Sequence, residues 1–176
     1  MSIVKSFDDA FKRMEEKNWD YIYVLVDIHG TIFIPSYNNK EHYAYYPYAE
    51  KVLRKLSDNP RVMLILWSST KRKYLNDYFT CLANDGIYVD YFNVNPEVTN
   101  DDSELESADF SVKPYFNVGI DDKFGFDPMK DWKAIYDYLN SKEIIDGWNE
   151  IKDLSNDELK KRHDFMKEVF NKYICK

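Results

Sequence analysis

Three apolar stretches of this 176-residue sequence each end in polar side chains that could do chemistry. These are Asp27 after residues 21–26, Ser68 after residues 62–67, and the pair Asp121 and Asp122 after residues 115–120. In an open parallel α/β sheet, ligands bind outside the carboxyl ends of the strands. An acid held at that edge is in the right position to act as a nucleophile or as a metal ligand.

The same acids also have an ordinary structural interpretation. Aspartate often caps a helix or opens a turn, and Gly30 would allow a tight turn just after the first of the three runs. The pair Asp121 and Asp122 could be a turn acid followed by a helix-capping acid. Taken one at a time, these residues therefore do not identify a site.

The elements that would position these residues alternate between strand and helix. Apolar runs predict strands at 21–26, 62–67, 87–92 and 115–120, and helical periodicity predicts helices at 47–56, 70–83 and 128–139. This order predicts an α/β fold with a three-layer, doubly wound, Rossmann-like and mostly parallel sheet that carries helices on both faces. The length suits a single domain, 1–176, with a core at about 20–140 and a helical extension at about 141–176.

Local signals add detail around this core. Ser6 with Asp9 three residues later predicts the N-cap of a first helix, whose apolar face would carry Phe7, Ala10, Phe11 and Met14. Residues 32–46 predict a hairpin or a small irregular flap, and residues 93–112 predict a loop with an acidic run at 101–106. The short intervals between strands leave no room for a large cap domain.

Composition and charge argue against several classes of protein. The net charge of −7 disfavours non-specific binding to nucleic acid. No apolar run is long enough for a membrane helix, and the N-terminus lacks the layout of a signal peptide. The two cysteines, Cys81 and Cys175, lack metal-ligand spacing and are typical of free thiols. We therefore expect a cytoplasmic protein that does not bind membranes.

Together, the strand-end residues resemble the haloacid dehalogenase-like (HAD) superfamily of phosphohydrolases, over roughly residues 21–139. The family's first motif is Asp-x-Asp-Gly-Thr after a strand, and its second is a Ser or Thr after another strand. Its third is a Lys, and its fourth is an acidic pair after a later strand. Here these motifs stand as Asp27-Ile28-His29-Gly30-Thr31, Ser68, Lys113 and Asp121-Asp122. The likeness is to the small capless type, with some features of the deoxyribonucleotidase branch.

This resemblance implies a phosphohydrolase that uses Mg²⁺ and an aspartyl-phosphate intermediate. Asp27 would be the nucleophile. Mg²⁺ prefers oxygen ligands, and the implied ligands are Asp27, the backbone carbonyl of His29, Asp121 and, nearby or through water, Asp122. Ser68 and the neighbouring Ser69 would hold the transferring phosphate oxygens. The substrate would be a phosphomonoester, with a nucleotide as one candidate.

His29 departs from the family pattern, which has Asp at this position as general acid and base. Imidazole can perform both roles, since its unperturbed pKa is near 6.5. The alternative is a catalytically impaired protein that still binds metal and phosphate without efficient turnover. Both interpretations stay open at the level of the sequence.

The cationic residue of the site is a second departure. Lys113 precedes Asp121 by eight residues, which places it at the wrong end of a full strand at 115–120. It could serve only if the ordered strand is shorter. Lys123 and Lys71 are therefore rival candidates for contact with the phosphate.

The predicted flap is rich in aromatic residues that could contact a substrate: Tyr37, His42, Tyr43, Tyr45, Tyr46 and Tyr48. Such rings can stack on a base, but they more often pack against the edge of a sheet. The expected partner is a small or extended phosphorylated substrate, and the sequence leaves the oligomeric state open.

Overall fold

The computed structural model describes residues 2–35, 43–95 and 114–146. Its helices are α1 (Ile3–Lys17), α2 (Ala49–Asp58), α3 (Arg72–Asn84) and α4 (Asp131–Asp146). Its strands are β1 (Ile22–Val26), β2 (Val62–Leu66), β3 (Tyr91–Phe92) and β4 (Val118–Ile120). This alternation confirms the predicted α/β class.

The four strands form one open sheet in the order β3-β2-β1-β4, with every neighbouring pair parallel. β1 is central, because its last residue, Val26, lies beside Leu66 of β2 and Ile120 of β4. The residues that follow β1, β2 and β4 therefore emerge at one edge of the sheet. The all-parallel sheet with helices confirms the prediction of a Rossmann-like fold.

One apolar cluster joins the sheet to the helices. Alternate residues of the two longest strands belong to it: Ile22, Val24 and Val26 of β1, and Val62, Leu64 and Leu66 of β2. All four helices contribute buried side chains, including Phe7, Leu53, Leu75 and Trp132.

The prediction of Ser6 as the first N-cap is wrong, because Ser6 lies inside α1. Ser2 caps this helix instead, and its Oγ accepts a hydrogen bond of 3.4 Å from the amide of Lys5. The apolar face of the helix is as predicted, with four buried residues: Phe7, Ala10, Phe11 and Met14. The helical periodicity therefore identified the buried face. The start of the helix was predicted too late in the chain, because Ser6 is also a plausible N-cap.

This correction can be tested through stability. We expect Ser2→Ala to lower the free energy of unfolding by about 0.5–1 kcal/mol, because the N-cap hydrogen bond is lost. Ser6→Ala is the matched control and should not destabilise, since alanine is a better helix former inside a helix. Urea unfolding followed by circular dichroism measures both values. A larger loss in Ser6→Ala would contradict the placement of the cap.

Two strands are shorter than predicted. β3 contains only Tyr91–Phe92, and β4 contains only Val118–Ile120. Just before β4, the side chain of Asn117 pairs with the backbone of β1, since its Oδ1 accepts a 2.7 Å hydrogen bond from the Tyr23 amide. The amide of Asn117 also donates a 2.9 Å hydrogen bond to the Tyr23 carbonyl, so backbone and side chain of Asn117 together continue the pairing with β1.

The last described helix is displaced relative to its prediction at both ends. α4 starts at Asp131, three residues after Pro128, and it continues to Asp146, beyond the predicted end near residue 139. Its start is anchored because Oδ2 of Asp131 accepts a 2.8 Å hydrogen bond from the Asp127 amide. The helical extension predicted at about 141–176 is described only as far as Asp146, where α4 ends, and the acidic run at 101–106 lies outside the described residues.

The two ends of the predicted flap pair with each other through a short antiparallel contact. Backbone hydrogen bonds of 2.8 and 2.9 Å join residues 32–34 to residues 44–46. Tyr37 and His42 of the predicted flap lie outside the described residues. The other four aromatic residues are partly buried and pack against the core: Tyr43, Tyr45, Tyr46 and Tyr48. In this part of the flap the aromatic rings serve packing.

Among the helices of the described residues, none has the length and apolarity that crossing a membrane requires.

Candidate functional site

Three carboxylates meet at the carboxyl edge of the sheet. Asp27 directly follows β1 and is 9% exposed, and its amide donates a 3.0 Å hydrogen bond to the carbonyl of Ile120 at the end of β4. The next residues along that neighbouring strand are Asp121 and Asp122. One oxygen from each of these three acids lies within 4.8 Å of the others.

The proximity of these acids affects the protonation of Asp27. Burial raises the pKa of its carboxyl to about 6, and the negative charge of Asp121 adds to the rise. Hydrogen bonds from the Ile28 amide and the Thr31 hydroxyl, together with the charge of Lys123, oppose this effect. Desolvation and a like charge both disfavour a carboxylate, so a cation at this place would stabilise the ionised form.

Thr31 links the two halves of the carboxylate cluster. Its Oγ1 donates to Oδ2 of Asp27 at 3.3 Å and accepts from the Asp122 amide at 3.2 Å. Its carbonyl accepts a 2.8 Å hydrogen bond from the indole of Trp132, and Thr31 is fully buried. Thr31 is the last residue of the first motif, and no role was predicted for it from the sequence. Its position shows that it orients the acids on both neighbouring strands.

Gly30 makes room for this arrangement. Its φ of +76° lies in the left-handed region, and an added Cβ would lie 3.2 Å from Oδ2 of Asp122. A larger residue would be strained and would press on the carboxylate. The tight path predicted from this glycine is thus needed for the close approach of Asp122.

Asp121 also has the structural role of a turn acid, which was one of the two alternatives open from the sequence. Oδ1 of Asp121 accepts a 2.8 Å hydrogen bond from the Lys123 amide and opens a single 3-10 turn, Asp122–Phe124. The Lys123 ammonium lies 3.3 Å from Oδ1 of Asp122. A turn-capping role and a place in the acidic cluster are therefore compatible in the same pair.

Ser68 lies on the other side of β1, at the end of β2. Its amide donates to Oδ1 of Asn93 at 2.7 Å, and its carbonyl accepts from Nδ2 of the same side chain at 2.7 Å. Asn93 directly follows β3 and has a φ of +46°. Like the predicted residues, Asn93 follows an apolar strand, and this signal could have identified it.

His29 is held between two hydroxyl groups. Its Nδ1 lies 3.0 Å from Oγ1 of Thr70, and its Nε2 lies 2.6 Å from the hydroxyl of Tyr78. Thr70 in turn accepts a 3.0 Å hydrogen bond from Oγ of Ser68. Burial, assisted by the positive charge of Lys123, lowers the pKa of His29. His29 is thereby connected to Ser68, while sequence analysis missed both Thr70 and Tyr78.

The structure separates the three candidate lysines. Lys123 lies at the carboxylate cluster, is fully exposed, and its pKa is raised mainly by the hydrogen bond to Asp122. Lys71 is the exposed N-cap residue of α3, two residues beyond the exposed Ser69. Lys113 lies outside the described residues. The ordered strand before Asp121 is short, as a role for Lys113 would require.

The carboxylate cluster fits a hard divalent cation. Mg²⁺ is bound through oxygen, commonly by one or two carboxylates together with water and substrate phosphate. Asp27, Asp121 and Asp122 supply such oxygens. No backbone amide in the described ranges donates to the carbonyl of His29, which leaves that oxygen available as well.

Comparison with known proteins supports the fold. No protein-family model matches the chain, and no curated protein matches it. A solved structure of a conserved protein coded by a locus of Bacteroides thetaiotaomicron is similar, with 25% sequence identity and a TM-score of 0.53. The match covers 69% of this chain and 92% of that protein. This likeness is compatible with the parallel α/β architecture and assigns no activity.

Proposed function

We propose that this chain is a Mg²⁺-dependent phosphohydrolase of the HAD type that acts on a phosphomonoester through an aspartyl-phosphate at Asp27. The carboxylate cluster carries the proposal, since one oxygen each of Asp27, Asp121 and Asp122 lie within 4.8 Å of one another at the edge of the sheet. A phosphate dianion would be repelled by these acids unless a cation lay between them. The ion would supply charge neutralisation and orientation of the phosphate.

In this mechanism an oxygen of Asp27 attacks phosphorus, a new P–O bond forms, and the ester P–O bond breaks. The leaving oxygen takes a proton from a general acid or from solvent. Water then attacks the phosphorus of the aspartyl-phosphate, loses a proton to a general base, and releases inorganic phosphate while Asp27 is restored. Thr31 keeps Asp27 oriented through its 3.3 Å hydrogen bond.

Ser68 and Lys123 would bind the transferring oxygens from two sides. Asn93 holds the backbone of Ser68 through two hydrogen bonds of 2.7 Å, so the serine is oriented before substrate arrives. The ammonium of Lys123 is close enough to the acids to affect the pKa of Asp27. Oriented donors around a phosphate stabilise the charge of the transition state. Lys71, Ser69 and Lys113 are further candidates for contact with the phosphate.

His29 is the proposed general acid and base. Its lowered pKa favours the neutral imidazole at neutral pH, which suits the base step with water better than the acid step. A substrate with a good leaving group, such as an aryl phosphate, needs little help from an acid. We therefore expect aryl phosphates to be hydrolysed faster than alkyl phosphates.

The second candidate function is a protein that binds metal and phosphate with poor turnover. One observation favours it: both ring nitrogens of His29 already have partners in the protein, Thr70 and Tyr78. A general acid must reach the leaving oxygen directly or through one water. This arrangement makes His29 the residue on which the two functions differ.

Release of phosphate from 4-nitrophenyl phosphate, with Mg²⁺ and with EDTA, distinguishes these functions. We expect wild type to turn over only with Mg²⁺. His29→Asn should lower kcat by about a hundredfold or more on an alkyl phosphate, because general acid–base catalysis contributes about that much. The loss should be smaller on the aryl phosphate.

His29→Asp restores the residue typical of the family and is the matched variant. It should keep activity on both classes of substrate. Absence of turnover in wild type, combined with a gain in His29→Asp, would overturn the hydrolase and leave the binding function.

A further inference from the structure

Tyr78 lies where the aromatic part of the flap meets α3. Its ring stacks on Phe33 at 5.5 Å between centroids and meets Tyr43 edge-on at 5.3 Å. The ring of His29 also meets it edge-on, at 5.1 Å. These contacts hold the half-buried tyrosine in place, so its hydroxyl has a defined position next to the imidazole.

Both ring nitrogens of His29 lie at hydrogen-bond distance from a hydroxyl group, so the tautomer depends on which hydroxyl donates. Oγ of Ser68 lies 3.0 Å from Oγ1 of Thr70 and donates to it. When the Thr70 hydroxyl donates in turn to Nδ1, the proton of the neutral imidazole is on Nε2. Nε2–H then points at the Tyr78 hydroxyl, whose oxygen lies 2.6 Å away.

The two nitrogens of His29 therefore face different surroundings. Nδ1 faces Thr70 and Ser68, the side on which the proposed phosphate would bind. Nε2 faces Tyr78 and the aromatic rings behind it. A partner that hydrogen-bonds to one ring nitrogen determines which tautomer is present and where the other nitrogen points.

We propose that Tyr78 is the positioning residue of His29, and that its hydroxyl accepts from Nε2–H and so holds the imidazole with Nδ1 directed toward Thr70 and Ser68. This inference rests on the proposed function for its catalytic consequence. In that reaction Nδ1 is the nitrogen that exchanges protons, directly after displacement of the Thr70 hydroxyl or through it. Tyr78 itself does not contact substrate.

The test combines a spectroscopic signature with kinetics. Nitrogen NMR at a pH where the imidazole is neutral reports the tautomer of His29, with the signal assigned by its loss in His29→Asn. We expect the Nε2–H form in wild type and a mixture of tautomers in Tyr78→Phe. In Thr70→Val the Nδ1 resonance should shift. Tyr78→Phe should lower kcat by about tenfold, in the range typical of an outer partner of a functional histidine, and change KM by less than about twofold.

Two matched variants control for the loss of a hydroxyl elsewhere. Tyr136→Phe removes a tyrosine hydroxyl on α4, and Thr80→Val removes a hydroxyl that donates within α3, at 2.8 Å to the Asn76 carbonyl. Neither should move the His29 signals or kcat.

The outcomes separate the inference from the proposed function. Unchanged His29 signals in Tyr78→Phe overturn the inference, whatever the activity. Altered signals together with an unchanged kcat overturn the catalytic consequence. If Tyr78→Phe alters the His29 signals but wild type shows no turnover, Tyr78 positions the imidazole and the proposed phosphohydrolase is overturned.

Discussion

Asp27→Asn is expected to lower kcat for hydrolysis of 4-nitrophenyl phosphate by at least about a thousandfold. An amide cannot form the aspartyl-phosphate, and it also removes one of the three carboxylates of the cluster. Turnover measured under saturating substrate and Mg²⁺ gives this value. Trapping of the phosphorylated chain, followed by mass spectrometry of the peptide that contains Asp27, would locate the intermediate independently of the rate.

The control for this substitution is Asp20→Asn. Asp20 is exposed and lies before β1, at the opposite end of the strand from Asp27. The same change of carboxylate to amide there should leave kcat within about twofold of wild type. Phosphorylation at another residue, or an active Asp27→Asn, would rule out Asp27 as the nucleophile.

Asp121→Asn is expected to stabilise the metal-free protein and to reduce the stabilisation that Mg²⁺ provides. Without metal, removal of the like charge next to Asp27 should raise the free energy of unfolding by about 1 kcal/mol at neutral pH. With saturating Mg²⁺, the melting temperature of wild type should rise by about 5 °C, because a ligand that binds only the folded state stabilises it. Most of that rise should be lost in Asp121→Asn, and kcat should fall by about a hundredfold.

The pH dependence of the metal-free protein follows from the same electrostatics. The pKa of Asp27 is about 6 in the folded protein and near 3.8 for an ordinary aspartate. A carboxyl group whose pKa is raised on folding stabilises the fold while it is protonated. That stabilisation is lost as the pH rises from about 4 to about 6. This pH-dependent loss of stability should be smaller in Asp121→Asn and absent in Asp27→Asn.

Thermal unfolding in EDTA and in Mg²⁺, across this range of pH, measures both effects. Asp131→Asn is not a suitable control, because Asp131 accepts the hydrogen bond that anchors α4. Asp20→Asn again serves, since it should leave the Mg²⁺-dependent rise unchanged. An equal rise in Asp121→Asn and in wild type would show that Mg²⁺ does not bind at the cluster.

The carboxylates could be found from the sequence because their positions follow from a local pattern. Each apolar run has the length and composition of a buried strand, and the polar residue after it marks the point where the strand leaves the core. In a parallel sheet all these exits lie at one edge, so Asp27 and Asp121 had to be near each other once β1 and β4 were neighbours. Asn93 obeys the same rule at the end of β3 and was overlooked.

The helix ends were less predictable because several residues could cap them equally well. Ser2 and Ser6 are both acceptable N-caps, and α1 begins after the first of them, where Ile3 already packs against the core. Pro128 is a plausible helix start, yet α4 begins at Asp131. Such choices depend on packing against the sheet and not on the local sequence.

The sequence by itself therefore determined the α/β alternation, the parallel sheet and the acids at its edge, because these depend on periodicity and on the order of strands and helices along the chain. Only the tertiary structure decided the surroundings of those residues. The partners of His29 are 41 and 49 residues away in the chain, and Thr31 bonds the backbone of a residue 91 positions away. Contacts over such separations arise from the order β3-β2-β1-β4 and its register, which the spacing of residues along the chain does not encode.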